Sequence, residues 1–113
     1  MDDCIFCKII KGELPGKFLF KSDDIVVFKD IAPRAPFHAL VVPVKHIESV
    51  RTITAEDTQL LGNMMLTVQD VTQKEHLADK GYKLIINNGK ASGQMVDHLH
   101  IHILGAWTKD QEW

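Results

Sequence analysis

The chain has 113 residues, 45% of them hydrophobic and 25% charged, with a net charge of −2. That size suits a single domain over residues 1–113 with a substantial core, of ordinary globular composition. The near-neutral balance excludes a broad electrostatic footprint for nucleic acid or an anionic membrane, although backbone N–H groups and imidazoles can still hold a small anion. No apolar run reaches the length of a membrane span, and Met1-Asp2-Asp3-Cys4 is acidic rather than signal-like, so a cytoplasmic location is expected.

Residues 4–11 place Ile5, Phe6, Ile9 and Ile10 on one side of a short amphipathic helix, which Gly12 and Pro15 end. Cys4 and Cys7 form a Cys-x-x-Cys pair. A disulfide there would close only a tiny loop, a thioredoxin-like redox pair would want a preceding strand, and a metal would need two more ligands. Phe18-Leu19-Phe20-Lys21 and Ile25-Val26-Val27-Phe28-Lys29, around Ser22-Asp23-Asp24, read as a hairpin. A proline-bearing loop from Asp30 to Pro36 leads into a third strand, His38 to Pro43, whose nearly continuous apolar run suits a central position.

Thr54, Glu56 and Asp57 suit a helix start, and Leu60, Leu61, Met64, Met65, Val68 and Val71 recur at helical spacing. One long helix is predicted over residues 54–78, with the Met pair as core filling and His76 facing solvent. Residues 82–87 are a fourth strand. The Asn/Gly/Ser stretch 88–94 is longer than a tight hairpin requires and reads as either a flexible loop or, through its backbone N–H groups, an anion cradle. The whole is an α+β domain with a five-stranded, mainly antiparallel sheet, one long helix and one short helix.

The most informative stretch is Asp97-His98-Leu99-His100-Ile101-His102-Ile103-Leu104. Strict alternation predicts a half-buried strand with Leu99, Ile101 and Ile103 inward and the three histidines on the wet face. At roughly 3.3 Å per residue the outer two histidines lie about 13 Å apart, too far to share one metal, so divided roles are expected. Imidazole near neutral pH is a nucleophile, a proton carrier or a ligand.

His98-Leu99-His100-Ile101-His102-Ile103-Leu104 resembles the His-φ-His-φ-His-φ-φ signature of the histidine triad (HIT) family, with φ apolar. The likeness runs from about Cys4 to Gly105 and is nearest the Hint branch of nucleotide hydrolases and phosphoramidases. It implies the layout above, assembled as a two-fold homodimer. It also implies that His100 attacks the α-phosphorus to give a nucleotidyl-histidine, with His102 and His38 beside the phosphate. Without the family, His38 would read as a surface histidine at a strand end. Asn87, Gly93, Gln94 and Met95 match the phosphate side. Asp30, otherwise a loop-starting Asx turn, matches the ribose contact. Phe6, Phe28 and Ile31, together with Ile5 and Ile9, match the slot for the base.

Some relatives hold zinc with two such cysteines, a histidine matching His46 and the first triad histidine. The resemblance therefore implies a structural zinc on Cys4, Cys7, His46 and His98, closed to catalysis, and no organic cofactor. Two departures bear on the leaving group: Met95 stands where a Ser, Thr or Glu is usual, and Asp97 where an aromatic is usual. The tail from Ala106 to Trp113 also differs from the family's ending. The expected activity is hydrolysis of purine nucleoside 5′-phosphoramidates to the monophosphate. The alternatives are a dinucleoside polyphosphate hydrolase and a nucleotide-binding regulatory dimer with incidental catalysis. Purine nucleotide and a second copy of the chain are the implied partners, with no nucleic acid and no membrane.

Overall fold

Cys4 opens the first helix by accepting a hydrogen bond on its sulfur from the Cys7 backbone N–H, and α1 runs Ile5–Ile10. The computed structural model describes residues 3–112; Met1, Asp2 and Trp113, which complete the predicted domain and its divergent tail, lie outside the described residues. After α1 the chain turns at Gly12, whose φ of +83° favours glycine. It then forms β1 (Phe18–Lys21), β2 (Ile25–Lys29), β3 (Phe37–Pro43), α2 (Thr58–Lys74), β4 (Tyr82–Ile85) and β5 (Ile101–Gly105). The strands make one antiparallel sheet in the order β1-β2-β3-β5-β4, with the apolar strand β3 at its centre as predicted. No helix among the described residues is long and apolar enough to cross a membrane.

Period-two alternation sends each strand's side chains to two separate clusters. On one face Ile25, Val27, Ala39, Val41, Leu99, Ile101 and Ile103 pack under Met64, Val68 and Val71 of α2. On the other, Val26, Phe28, Leu40 and Val42 pack under Cys4 and Phe6 from the α1 end. The three histidines stand on this second face.

Four boundaries depart from expectation. The long helix begins at Thr58, after a separate 3-10 turn at Ala55–Asp57, rather than at Thr54. The long helix stops at Lys74 rather than near residue 78. There His76 takes a left-handed φ of +60° and the Leu77 N–H reaches back to the Thr72 carbonyl, a Schellman closure that plugs buried Leu77 against the core. Of the Met pair only Met64 is core; Met65, one residue and about 100° further round, faces outward. The strand predicted over residues 97–104 begins only at Ile101. The His98 and Leu99 N–H groups bond the carbonyls of Val96 and Ile47 outside the ladder, so the chain enters the sheet after His100. The fourth strand ends at Ile85 for the same reason, since Ile85 already pairs with His102.

Candidate active site

The histidine face is covered, not wet. His98, His100 and His102 are 0%, 6% and 8% exposed. The expected solvated row was wrong because alternation states which face a side chain takes and not what packs over it. Here Phe6 supplies the cover, meeting Phe28, His98 and His100 edge-on at centroid distances of 5.5, 5.9 and 4.9 Å.

Buried imidazoles need partners, and those partners fix each tautomer. The Pro43 carbonyl lies 2.8 Å from His98 Nε2, so that nitrogen carries the proton and Nδ1 presents a lone pair. The His98 carbonyl lies 2.7 Å from His100 Nδ1, so His100 holds its proton there and offers a lone pair at Nε2. His38 and His102 are joined Nε2 to Nδ1 at 2.8 Å. They are diagonal neighbours, because His38 pairs with Leu104 and His102 with Leu40 across β3 and β5. His100 and His102 rings lie 4.8 Å apart. Neither His100 Nε2 nor His102 Nε2 is bonded to protein. Among the described residues no fully buried side-chain nitrogen or oxygen lacks a partner, so both atoms open to the surface.

Burial lowers the pKa of His100 and of His98. It lowers that of His38 too, against the pull of the Asp30 carboxylate. His102 falls to about 4, first through burial and then through the neighbouring His100 and His38. All four are neutral at pH 7, the state in which an imidazole nitrogen is a nucleophile.

Cys4, Cys7, His46 and His98 come together as predicted, with one ligand atom from each lying within 4.8 Å of all the others. His98 Nδ1 is 3.4 Å from Cys4 Sγ and 3.6 Å from Cys7 Sγ, and His46 Nδ1 is 3.4 Å from Cys7 Sγ. Tetrahedral zinc with bonds of 2.3 Å to sulfur and 2.0–2.1 Å to nitrogen puts S and N about 3.6 Å apart. The donor set fits zinc, and the Pro43 carbonyl already fixes the His98 tautomer that a ligand needs. Met95, 83% exposed, and Asp97 line a cleft of about 270 Å³ with Cys4 and His46 at the outer edge of this set.

The remaining predicted residues take varied places. Asp30 makes the Asx turn, accepting the Ala32 N–H on Oδ1, while Oδ2 lies 3.5 Å from His38 Nε2. Ile31 beside it is 97% exposed, and Ile5 is half exposed. Asn87 donates to the Ser92 carbonyl across the loop, where Gly93 takes the left-handed conformation. Gln94 is buried, donating to the Glu48 and Val96 carbonyls and accepting from the Gly89 N–H. Its amide holds the loop to the chain that follows β3. Sequence reading missed the Pro43 carbonyl and the Arg34 N–H, which fix two of the rings; main-chain groups leave no residue-type signal.

Fold and site together define a small α+β domain built around a buried histidine cluster, and the comparisons give it a family. A family model described as scavenger mRNA decapping enzyme C-term binding matches residues 3–112. Protein HitA of Neisseria gonorrhoeae is 47% identical over 105 residues, 93% of this chain and 97% of that protein. A purine nucleoside phosphoramidase of Escherichia coli is 38% identical over 104 residues, 92% of this chain and 87% of that protein. A solved HIT family hydrolase from Clostridium thermocellum superposes with a TM-score of 0.94 at 39% identity, covering 99% of this chain and 97% of the other. The chain belongs to the histidine triad family and is a hydrolase.

Proposed function

We propose that the chain hydrolyses the P–N bond of purine nucleoside 5′-phosphoramidates through a nucleotidyl group carried on His100. The observation that carries this is the His100 tautomer: Nδ1–H is committed to the His98 carbonyl, leaving the Nε2 lone pair free and open to the surface. In the first step that lone pair attacks phosphorus and the P–N bond breaks, the departing amine taking a proton from water while the Nε2–H of neutral His102 donates a hydrogen bond to it. In the second, the hydroxide so formed attacks phosphorus, breaking the bond to His100 and releasing the monophosphate. Phosphoryl transfer of this kind gains mainly from positioning and from donors set where charge develops.

Around that pair, the Asp30 carboxylate suits the ribose, and exposed Ile31, with Phe6 and Phe28, suits the slot for the base. The loop bearing Asn87, Gly93, Gln94 and Met95 flanks the phosphate. Zinc on Cys4, Cys7, His46 and His98 would supply a closed structural cross-link between α1, the chain after β3 and the entry to β5. Its two thiols favour a reducing cytoplasm. A homodimer through β4 is part of this reading: β4 is an edge strand, and Leu84, Ile85 and Ile86 are exposed apolar side chains.

The match to a decapping-enzyme family favours, as a second reading, a P–O–P substrate such as a dinucleoside polyphosphate. Single-turnover mixing with an adenosine 5′-phosphoramidate tests the first reading. Adenylate trapped on His100 supports it, and binding without turnover leaves a nucleotide-holding dimer. The ratio of kcat/KM for P–N and P–O–P substrates on one preparation decides between the two enzymatic readings.

A further inference from the structure

We propose that His38 is a positioning residue, one that holds His102 in the tautomer that presents an Nε2–H to the leaving amine and does not itself touch the phosphate. This rests on the reading of His102 as the hydrogen-bond donor to the leaving amine.

The Arg34 backbone N–H points at His38 Nδ1 at 3.1 Å, and a backbone N–H can only donate. His38 Nδ1 therefore carries a lone pair, and the ring's single proton sits on Nε2. That nitrogen is 2.8 Å from His102 Nδ1, so His38 donates and His102 accepts. Neutral His102 is then left with its own proton on Nε2, the only other nitrogen of the ring and the one open to the surface. The chain Arg34 N–H, His38, His102 has one consistent direction. Reversing the inner bond would require a His38 ring with no proton at all.

Both His38 nitrogens are consumed in this chain, so the ring has no donor left for a phosphate oxygen. It is also buried, at 4% exposure. Asp30 strengthens the arrangement. Its Oδ2 lies 3.5 Å from His38 Nε2, and its Oδ1 is tied to the Ala32 N–H, so the carboxylate faces the proton-bearing nitrogen. Burial keeps both imidazoles neutral, so the direction is held at working pH.

The same geometry explains why a histidine is needed at position 38 although nothing is delivered from it. Only a side chain accepting at one end and donating about one ring's width away links the Arg34 N–H to His102. A glutamine supplies the donor at the reach of Nε2; a leucine or a shorter asparagine does not.

The test uses full-length protein with ¹⁵N-labelled histidine, comparing wild type with His38→Leu, His38→Asn and His38→Gln. Long-range ¹H–¹⁵N spectra report which His102 nitrogen is protonated, and kinetics on an adenosine 5′-phosphoramidate report kcat and KM separately. Wild type and His38→Gln are expected to show His102 protonated on Nε2. His38→Leu and His38→Asn are expected to lose that preference, with kcat lower by about 10- to 100-fold and KM within about threefold. His38→Asn keeps the comparison open if the leucine variant misfolds. An unchanged His102 tautomer in His38→Leu or His38→Asn overturns the assignment. So does a rise in KM at constant kcat, which would place His38 on the substrate. If the tautomer responds as stated and no protein, wild type included, cleaves the phosphoramidate, the assignment stands and the substrate reading fails.

Discussion

The carbonyl oxygen of His98 accepts the Nδ1 proton of His100 at 2.7 Å, and His98 is itself pinned through Nε2 to the Pro43 carbonyl at 2.8 Å. The two histidines are thus fixed differently: His98 is clamped and fully buried, and His100, the nucleophile in the reading proposed above, keeps a single free nitrogen. The link between them is main chain. A ring held in this way loses little freedom on entering the transition state, which is where a positioned nucleophile gains most over a mobile one.

Replacing His100 with alanine removes the group proposed to attack phosphorus. Turnover is expected to fall by about 10³-fold or more while nucleotide binding stays within severalfold of wild type. Steady-state rates with isothermal titration of nucleoside monophosphate check this. Turnover of the alanine variant near the wild-type rate would end the covalent reading.

Local pattern carried the elements that depend on local pattern. β1 and β2 fall at Phe18–Lys21 and Ile25–Lys29, the bounds read from their apolar runs and the Ser22-Asp23-Asp24 turn between them. The four metal-type ligands were legible through the resemblance, and the structure brings them together. What stayed hidden depends on chain segments far apart. That the histidine face is covered depends on Phe6, 92 residues before His98, packing across it. That Gln94 braces its loop depends on the Glu48 carbonyl. The tautomers depend on the carbonyls of Pro43 and His98 and the N–H of Arg34, which every residue type can offer.

Acid should unfold the protein through these same rings. His102 titrates at about 4 in the fold against about 6.5 in the unfolded chain, so between those values the unfolded state binds the proton first. The stability this group contributes is fully present above pH 6.5 and is lost as pH falls toward 4, by on the order of 3 kcal/mol. Chemical denaturation between pH 4 and 7 on wild type and His102→Gln measures it. The glutamine variant is expected to show the shallower dependence, and equal slopes would refute the assignment. Above pH 5 His102 is neutral throughout, so it contributes no limb to the activity profile there.

Gln94 tests whether the loop is a preformed cradle. Its side chain makes three hydrogen bonds, to Gly89, Glu48 and Val96, from a buried position. Gln94→Ala should cost about 2–3 kcal/mol and raise amide exchange across residues 87–95 while leaving the α2 amides protected. Its KM should rise with the loosened loop. Unaltered exchange in the loop would show that the amide is dispensable to its shape.

Metal dependence closes the set, because the four ligands come from three separate segments of the chain. Cys4 and Cys7 belong to α1, His46 follows β3, and His98 precedes β5. A six-residue helix is too short to hold itself in water, so its place over the histidine face relies on Phe6 and on whatever ties the two thiols. Zinc there would act as such a tie, stabilising only the folded state. Protein purified without chelators should carry about one zinc per chain, and Cys4→Ser or Cys7→Ser should carry far less. The melting temperature should fall by several degrees with either substitution or after chelation, and zinc should restore it only to the chelated wild type. Metal below about a tenth of an equivalent in untreated wild type, with melting indifferent to added zinc, would reduce the four residues to two thiols hydrogen-bonded to two imidazoles.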